Sequence, residues 1–165
     1  MKQFVMIFIL PFMLMLTSMS SCHKEEDIED EPQTARLHVE FTNDLASEFS
    51  INIMQLRPHG NAGMANSPAI GNWTTNILTE GTVIAPGTTY NMDLDIPNLF
   101  WDEYRLGVID ANGNSIMLHE QEAWPNQTGP PITHWGSDKR RCYVTLHYQE
   151  ENDLILISAW GDNAY

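Results

Sequence analysis

The residues best suited to metal chemistry are six histidines. They are spread along the chain at His23, His38, His59, His119, His134 and His147. None shows the His-x-x-x-His or Cys-x-x-Cys spacing that brings zinc ligands together on one turn or loop. The sequence therefore predicts no metal site, and it predicts that His38 and His147 lie on the solvent side of their strands.

The segment Asp110-Ala111-Asn112-Gly113-Asn114 could instead open a calcium loop, because oxygen-bearing side chains alternate at its positions one, three and five. However, Ser115 stands at position six and Gln121 at position twelve, where a calcium loop needs glycine and a bidentate glutamate. The same residues are typical of a tight β-hairpin, with Asn112-Gly113 in the two positive-φ positions of a type I′ turn. We favour the hairpin.

Acid pairs and one cysteine are the remaining candidates for catalysis. Asp93 with Asp95, or Asp102 with Glu103, could serve glycoside hydrolysis, which needs two carboxylates about 5 to 9 Å apart. The chain has no Gly-x-Ser-x-Gly, His-Glu-x-x-His or phosphate-loop motif. Cys142 belongs to an alternating apolar set and is predicted to lie in the core. We therefore predict solvated acids, no catalytic residue and no cofactor.

Tryptophans are more informative, because an indole ring can stack on the apolar face of a sugar while polar neighbours bind its hydroxyls. Trp101, Trp124 and Trp135 all fall in predicted loops, where Asn126 and His134 could be such neighbours. The sequence predicts a possible ligand site at these five residues. The alternative is that the rings fold back and cover one end of the domain.

The elements that would position these residues are strands. From Ala35 onward apolar residues recur with period two, and no helical stripe lasts ten residues. The predicted core-facing sets are Leu37, Val39 and Phe41; Phe49, Ile51 and Ile53; Tyr90, Met92 and Leu94; Tyr104, Leu106 and Val108; Ile116 and Leu118; and Cys142, Val144, Leu146 and Tyr148. A last strand is predicted from Asp153 to Trp160. Trp73 and Trp160 are assigned to the core.

With 165 residues the chain has room for one domain, predicted over residues 35–165. About eight short antiparallel strands, with turn signals every 8 to 12 residues, predict an all-β fold that is a single β-sandwich. A barrel is the alternative. A long segment over residues 123–140, rich in tryptophan and proline, interrupts the strand pattern.

The charge of the chain excludes one class of function. Eight basic and 22 acidic residues give a formal net charge of −14 and a pI of about 4.5. Such a chain repels a phosphate backbone, so we expect no nucleic-acid partner.

The first 21 residues read as a signal peptide. A basic start at Lys2 precedes a 13-residue apolar run from Phe4 to Leu16, which is too short to span a bilayer. Small residues then lead to Cys22. The segment resembles a bacterial lipoprotein signal, which implies that Cys22 is lipidated and anchors the mature chain to a membrane. An ordinary cleaved signal would leave a reactive surface thiol.

Residues 22–34 are predicted to form a disordered, solvated tether, because six of the nine residues from His23 to Glu31 are acidic. Lys24, Glu25, Glu26 and Asp27 resemble the export signal that directs lipoproteins of some Gram-negative anaerobes to the outer face of the outer membrane. The alternative is a spacer that holds the domain away from the bilayer.

The middle of the chain resembles a family of small exported bacterial β-sandwich domains without an assigned activity. The resemblance covers about Phe49 to Leu118. It rests on the motifs Ile53-x-x-Leu56-x-Pro58, Asn72-Trp73-x-x-Asn76-Ile77-Leu78, Ile84-x-Pro86-Gly87 and Tyr104-x-Leu106-x-Val108-x-Asp110-x-x-Gly113. In those domains glycine typically follows the tryptophan, whereas Thr74 follows it here. The resemblance implies a fold and an exported location, and no catalytic residues.

The sequence thus favours a lipoprotein on the outer membrane surface whose sandwich is a non-catalytic binding module, with a glycan or a surface protein as the partner. The alternative is a structural or fimbria-like assembly subunit, in which exposed strand edges make the contacts.

Overall fold

The computed structural model describes residues 35–61, 67–121 and 129–165. The predicted signal peptide, the lipidation site Cys22, the export signal at residues 24–27, Trp124 and Asn126 all lie outside the described residues. Within the described ranges, no helix is long and apolar enough to cross a membrane.

Eight strands account for most of the described chain. They are β1 (Arg36–Asn43), β2 (Ser50–Asn61), β3 (Thr88–Asp95), β4 (Phe100–Ile109), β5 (Ser115–Met117), β6 (Ile132–Thr133), β7 (Lys139–Gln149) and β8 (Leu154–Ala164). The helical structure in the described ranges is a single 3₁₀ turn over Leu118–Glu120. The prediction of an all-β fold of about eight strands is confirmed.

The strands form two sheets. The first has the order β3-β1-β7-β8, and the second has the order β2-β4-β5, with β6 pairing the other part of β4. Every pair is antiparallel except β1 with β7, which are parallel from His38–Lys139 to Asn43–Val144. Alternation of side chains predicts strands but does not specify their direction, so this exception is a finding of the structure.

The core fills the space between the two sheets. Leu37, Val39 and Phe41 of β1 are fully buried. Tyr104, Leu106 and Val108 of β4 are fully buried as well. The Phe41 and Tyr104 rings meet edge to face with their centroids 5.4 Å apart. Each sheet therefore turns one side inward, as the period-two pattern requires.

Strand β2 departs from the predicted alternation. Ile51 is buried, but a register shift between Ile51 and Ile53 leaves Ile53 half-buried and turns Met54 and Leu56 inward. A bulge of this kind inserts one unpaired residue into the strand. Each later side chain therefore faces the side opposite to the one that uninterrupted alternation predicts. The assignment of Ile53 to the core was therefore wrong.

The hairpin between β4 and β5 is present, but its turn type differs from the prediction. Gly113 has a φ of 83°, whereas Asn112 is not among the residues with positive φ. The Gly113 amide donates to the Asp110 carbonyl at 3.0 Å, and the Asp110 amide donates to the Asn114 carbonyl at 2.9 Å. This is a type I turn followed by a left-handed glycine.

Two tryptophans assigned to the core lie elsewhere. Trp160 is 55% exposed, and it lies on β8, which is an edge strand of the first sheet. Trp73 is half-buried on the outer side of the second sheet. Cys142, in contrast, is buried in the core as predicted.

Candidate functional site

The outer side of the second sheet carries the densest group of polar and aromatic side chains. Cross-strand neighbours form three successive rows on β2 and β4, namely Gln55 with Arg105, Arg57 with Glu103, and His59 with Trp101. Rows on one face of a strand are about 7 Å apart, since two residues separate them. The rows therefore form a strip about 14 Å long.

Trp73 covers this strip because the chain after β2 runs back along the β2 edge. The Thr74 amide donates to the Leu56 carbonyl at 2.8 Å, and the Leu56 amide donates to the Thr74 hydroxyl at 2.9 Å. These bonds hold the Trp73 ring over two guanidinium groups, with its centroid 4.7 Å from Cζ of Arg57 and 4.5 Å from Cζ of Arg105. Both distances are in the range of favourable cation–π contacts. We call Arg57, His59, Trp73, Trp101, Glu103 and Arg105 the tryptophan–arginine face.

Glu103 neutralises one part of this face. Its carboxylate accepts hydrogen bonds from Nε of Arg57 at 2.9 Å and from Nη2 of the same guanidinium. Nε2 of His59 lies 3.1 Å from the same carboxylate oxygen, while Nδ1 lies 3.0 Å from the Ser67 carbonyl. Both His59 nitrogens thus face oxygen atoms of the fold, which fixes the orientation of the ring. Trp101 stacks on this ring at 3.8 Å with an interplanar angle of 16°.

Arg105 has different surroundings from Arg57. Its Nε donates to the Gln55 side-chain carbonyl at 2.6 Å, and its Nη1 lies 2.8 Å from Nε2 of His119. Because arginine has only donors, His119 must accept with Nε2 in its neutral form. Burial, followed by the charge of Arg105, lowers the pKa of His119, while Glu120 opposes this effect. This arrangement stabilises the neutral ring.

Of the five residues predicted to form a ligand site, the described ranges include Trp101, His134 and Trp135. Trp101 lies in β4 and not in a loop, and it pairs across the sheet with Thr133. Trp135 follows β6 and its side chain is 53% exposed. The Leu99 amide donates to the His134 carbonyl at 2.7 Å, so Trp101 and Trp135 lie near the same end of the second sheet.

His134 is a structural residue and not an exposed polar neighbour. Its side chain is 1% exposed, with Nδ1 2.5 Å from the Ile96 carbonyl and Nε2 2.9 Å from the Asp138 carboxylate. These contacts join the β3–β4 turn to the segment before β7. In this structure both His134 nitrogens therefore face groups of the fold, and the side chain is shielded from solvent.

The candidates for metal and redox chemistry occupy ordinary structural positions. No group of three or more histidine, cysteine or acidic residues within the described ranges could hold a metal ion. His38 and His147 lie on outer strand faces, as predicted, with His38 half-buried and His147 exposed. The Asp110 carboxylate accepts from the Asn112 and Asn114 amides at 2.9 and 2.7 Å, which explains this turn without calcium. Burial raises the pKa of the Cys142 thiol, so it is held in its unreactive form.

An open groove of about 560 Å³ lies at another part of the domain. It is lined by Glu48, His147, Tyr148, Gln149, Glu150, Glu151 and Leu156. His147 contacts the Glu48 carboxylate at 2.9 Å, and Tyr148 donates its hydroxyl to Asp153 at 2.7 Å. The polar groups of this groove bond to one another and do not converge on a central point, so it is a weaker candidate for a site.

Sequence reasoning missed Trp73, Arg57 and Arg105 as members of one surface. The alternation of β4 could have placed Arg105 outward, because it lies between the core residues Tyr104 and Leu106. The outward position of Arg57 could not be predicted in the same way, because the bulge in β2 shifts the alternation before this residue. The position of Trp73 depends on hydrogen bonds of the segment after β2, for which no local pattern gives a signal.

No protein-family model, curated protein or solved structure matches this chain. The resemblance to exported β-sandwich domains stays a prediction, and the arguments below rest on the described residues.

Asp102 and Glu103 are not the solvated pair that the sequence predicted. Glu103 lies outside with Arg57, whereas Asp102 takes the inward orientation of Tyr104, with Pro58 and the fully buried Ile132 as cross-strand neighbours. Burial raises the pKa of Asp102 to about 6, although the charge of His59 opposes the shift. The folded chain therefore holds this proton more tightly than the unfolded chain does.

The free energy of unfolding of the protein should fall as the pH rises from about 4 to about 6, because Asp102 ionises less readily in the folded chain. We predict that Asp102→Asn abolishes this fall. Above that window the variant should be more stable by about 1 to 2 kcal/mol, after allowance for solvent screening of a partly exposed group. Urea unfolding at pH 4 and pH 7.5 would measure both free energies. Asp95→Asn, on the exposed outer side of β3, is the matched control. An equal pH dependence in the protein and Asp102→Asn would contradict the prediction.

Proposed function

We propose that this protein is a lipoprotein anchored on the outer surface of the outer membrane, and that its sandwich is a non-catalytic module that binds glycans. The observation that carries the binding proposal is the tryptophan–arginine face. It combines two indole rings with charged side chains on one side of a sheet.

The chemistry of this face suits a sugar ring. The guanidinium groups of Arg57 and Arg105 lie 4.7 and 4.5 Å from the Trp73 ring centroid. The Trp73 residue is half-buried, so part of its surface stays accessible to a ligand. Asn72 and Thr74 beside the ring are exposed, and the Glu103 carboxylate and the two arginines lie beneath it. A flat apolar surface with several donors and acceptors around it is the arrangement that recognises C–H faces and hydroxyls together.

Several observations support a non-catalytic role. Asp93 contacts His38 at 2.9 Å and Arg36 at 3.7 Å on an exposed face, and Glu103 is held by Arg57 and His59. These acids maintain fixed ion pairs, whereas a catalytic pair must face a common space that a substrate can enter. Asp102 faces the opposite side of the sheet from Glu103.

We predict that Trp73→Ala weakens glycan binding by about five- to tenfold, because one stacking contact is worth roughly 1 to 1.5 kcal/mol. The full chain in detergent micelles would be screened on an array of host and dietary glycans, and the affinity for each hit measured by titration. Trp160→Ala is the matched control, since Trp160 is an accessible tryptophan that lies in the first sheet. Trp135→Ala tests the end of the second sheet separately.

Equal affinities for the protein and Trp73→Ala would show that this face is not the site. Loss of binding with Trp135→Ala alone would move the site to the end of the sheet. Far-ultraviolet circular dichroism of each variant separates lost binding from lost folding.

The anchor has its own prediction. Cys22→Ser should abolish incorporation of radiolabelled palmitate in bacteria that express the full chain, and should release the protein from the membrane fraction. Replacement of Lys24, Glu25, Glu26 and Asp27 by alanine should keep the lipid but remove the protein from the cell surface, as protease treatment of intact cells would show. Palmitate incorporation by Cys22→Ser would contradict the proposal.

A structural assembly role is the second candidate, and the exposed edge of β8 favours it. This strand has 11 residues and carries Trp160, whose cross-strand neighbour Val144 is fully buried. The Gln121 side chain donates to the Ile155 carbonyl at 2.7 Å and accepts from the Ile155 amide at 2.9 Å, so it protects only the beginning of the edge. An edge with free backbone groups can pair with another strand.

If the protein assembles through this edge, Trp160→Lys should convert oligomers into monomers in light scattering, because a lysine at an edge opposes strand pairing. Trp73→Ala should then leave the assembly unchanged. A monomeric protein at high concentration would contradict self-assembly.

A further inference from the structure

We infer that Arg105 binds the carboxylate of an acidic saccharide on the tryptophan–arginine face. The inference rests on the proposed function and specifies which glycans the face selects. Three observations lead to it: the pairing of the other arginines, the donors that Arg105 has left, and the charge of the whole chain.

Arg105 differs from the other arginines of the described chain in its ion pairing. Four arginines contact a carboxylate within 4.0 Å: Arg36 with Asp93, Arg57 with Glu103, Arg140 with Asp162, and Arg141 with Glu40. Arg105 contacts the Gln55 amide, neutral His119 and the Trp73 ring, and it forms no ion pair with a described acid. A half-buried guanidinium without an anion is unusual in a chain with 22 acidic residues.

The contacts of Arg105 orient its remaining donors. A guanidinium has five N–H groups in one plane, and two of them are used by Gln55 and His119. The other three are one N–H of Nη1 and both N–H groups of Nη2, so Nη2 keeps two donors for a carboxylate. Trp73 covers the flat side of the group at 4.5 Å. A ligand can thus stack on the indole and reach the guanidinium edge with one carboxylate.

Among the described residues, no acid forms an ion pair with Arg105. Glu120 contacts Nε2 of His119 at 3.5 Å, and its side chain is 67% exposed. Glu103 is bonded to Arg57 and His59. Of the two arginines on this face, Arg57 is paired with Glu103, whereas Arg105 is paired with no acid of the described residues.

The net charge of −14 limits the ligand further. A polyanionic chain would be repelled by the protein as a whole, whereas a single carboxylate is attracted by the local charge of Arg105. We therefore expect saccharides with one uronic or sialic acid unit among neutral sugars, and not densely charged polysaccharides.

The test is an NMR titration of the full chain in micelles, followed on the tryptophan indole N–H signals, which report binding at Trp73. The probes are methyl glucuronide, methyl glucoside as its neutral counterpart, and N-acetylglycine as a carboxylate without a sugar ring. We expect the glucuronide to bind at least about tenfold more tightly than the glucoside. Arg105→Gln should reduce the ratio of the glucuronide affinity to the glucoside affinity to less than about twofold, and Arg105→Lys should restore this ratio in part. Arg36→Gln, an exposed arginine of the other sheet, should have no effect.

Equal affinity of the protein for the glucuronide and the glucoside would overturn the inference and leave the glycan-binding proposal standing. N-acetylglycine binding as tightly as the glucuronide would show that no sugar ring is recognised, and it would also overturn the inference. Failure of every saccharide to shift the indole signals would overturn both. A preference that survives Arg105→Gln would place the carboxylate elsewhere and refute the role of Arg105.

Discussion

The parallel pairing of β1 with β7 is the constraint on which the rest of the structure depends. Parallel strands cannot be joined by a tight turn, so the chain between Asn43 and Lys139 must leave the first sheet and return. Most of the second sheet is built from that excursion. Asn43 is fully buried at the end of β1, where the chain leaves the first sheet. Its side-chain amide donates to the Phe49 and Ile84 carbonyls at 2.8 Å and so fixes the chain at this position. The core between the sheets follows from this path.

The candidate site is a consequence of the same path. The chain that leaves β2 has to run back before it can enter β3 in the other sheet, and on its way it forms hydrogen bonds to the β2 edge. These bonds bring Trp73 over side chains that β2 and β4 already present outward. The face therefore combines a rigid sheet with one irregular segment, which is a common way to place binding residues on a β-sandwich. Its charges are arranged so that Glu103 balances Arg57 and leaves Arg105 available.

Much of the fold was predictable because burial on a strand has a period of two. The sets on β1 and β4 and the buried Cys142 needed only the alternation of apolar and polar residues. The same rule failed after Ile51, where the bulge moves the following side chains by one position. It failed again for Trp160, because a hydrophobic residue on an edge strand is buried only if the opposite sheet reaches it. For the site, Trp101 was chosen for its residue type, but its position in a strand and its stacking on His59 were not foreseen.

The sequence by itself determined the all-β class, most core positions and the hairpin at Gly113, since each depends on residues close together in the chain. It also determined the net charge that disfavours polyanionic partners. Only the tertiary structure decided that β1 pairs in parallel with β7, that Asp102 faces inward beside Ile132, and that Trp73 covers Arg57 and Arg105. These features are contacts between segments far apart in the chain, and their free energies depend on which surfaces the fold brings together. The spacing of residues close together in the chain therefore does not predict these contacts.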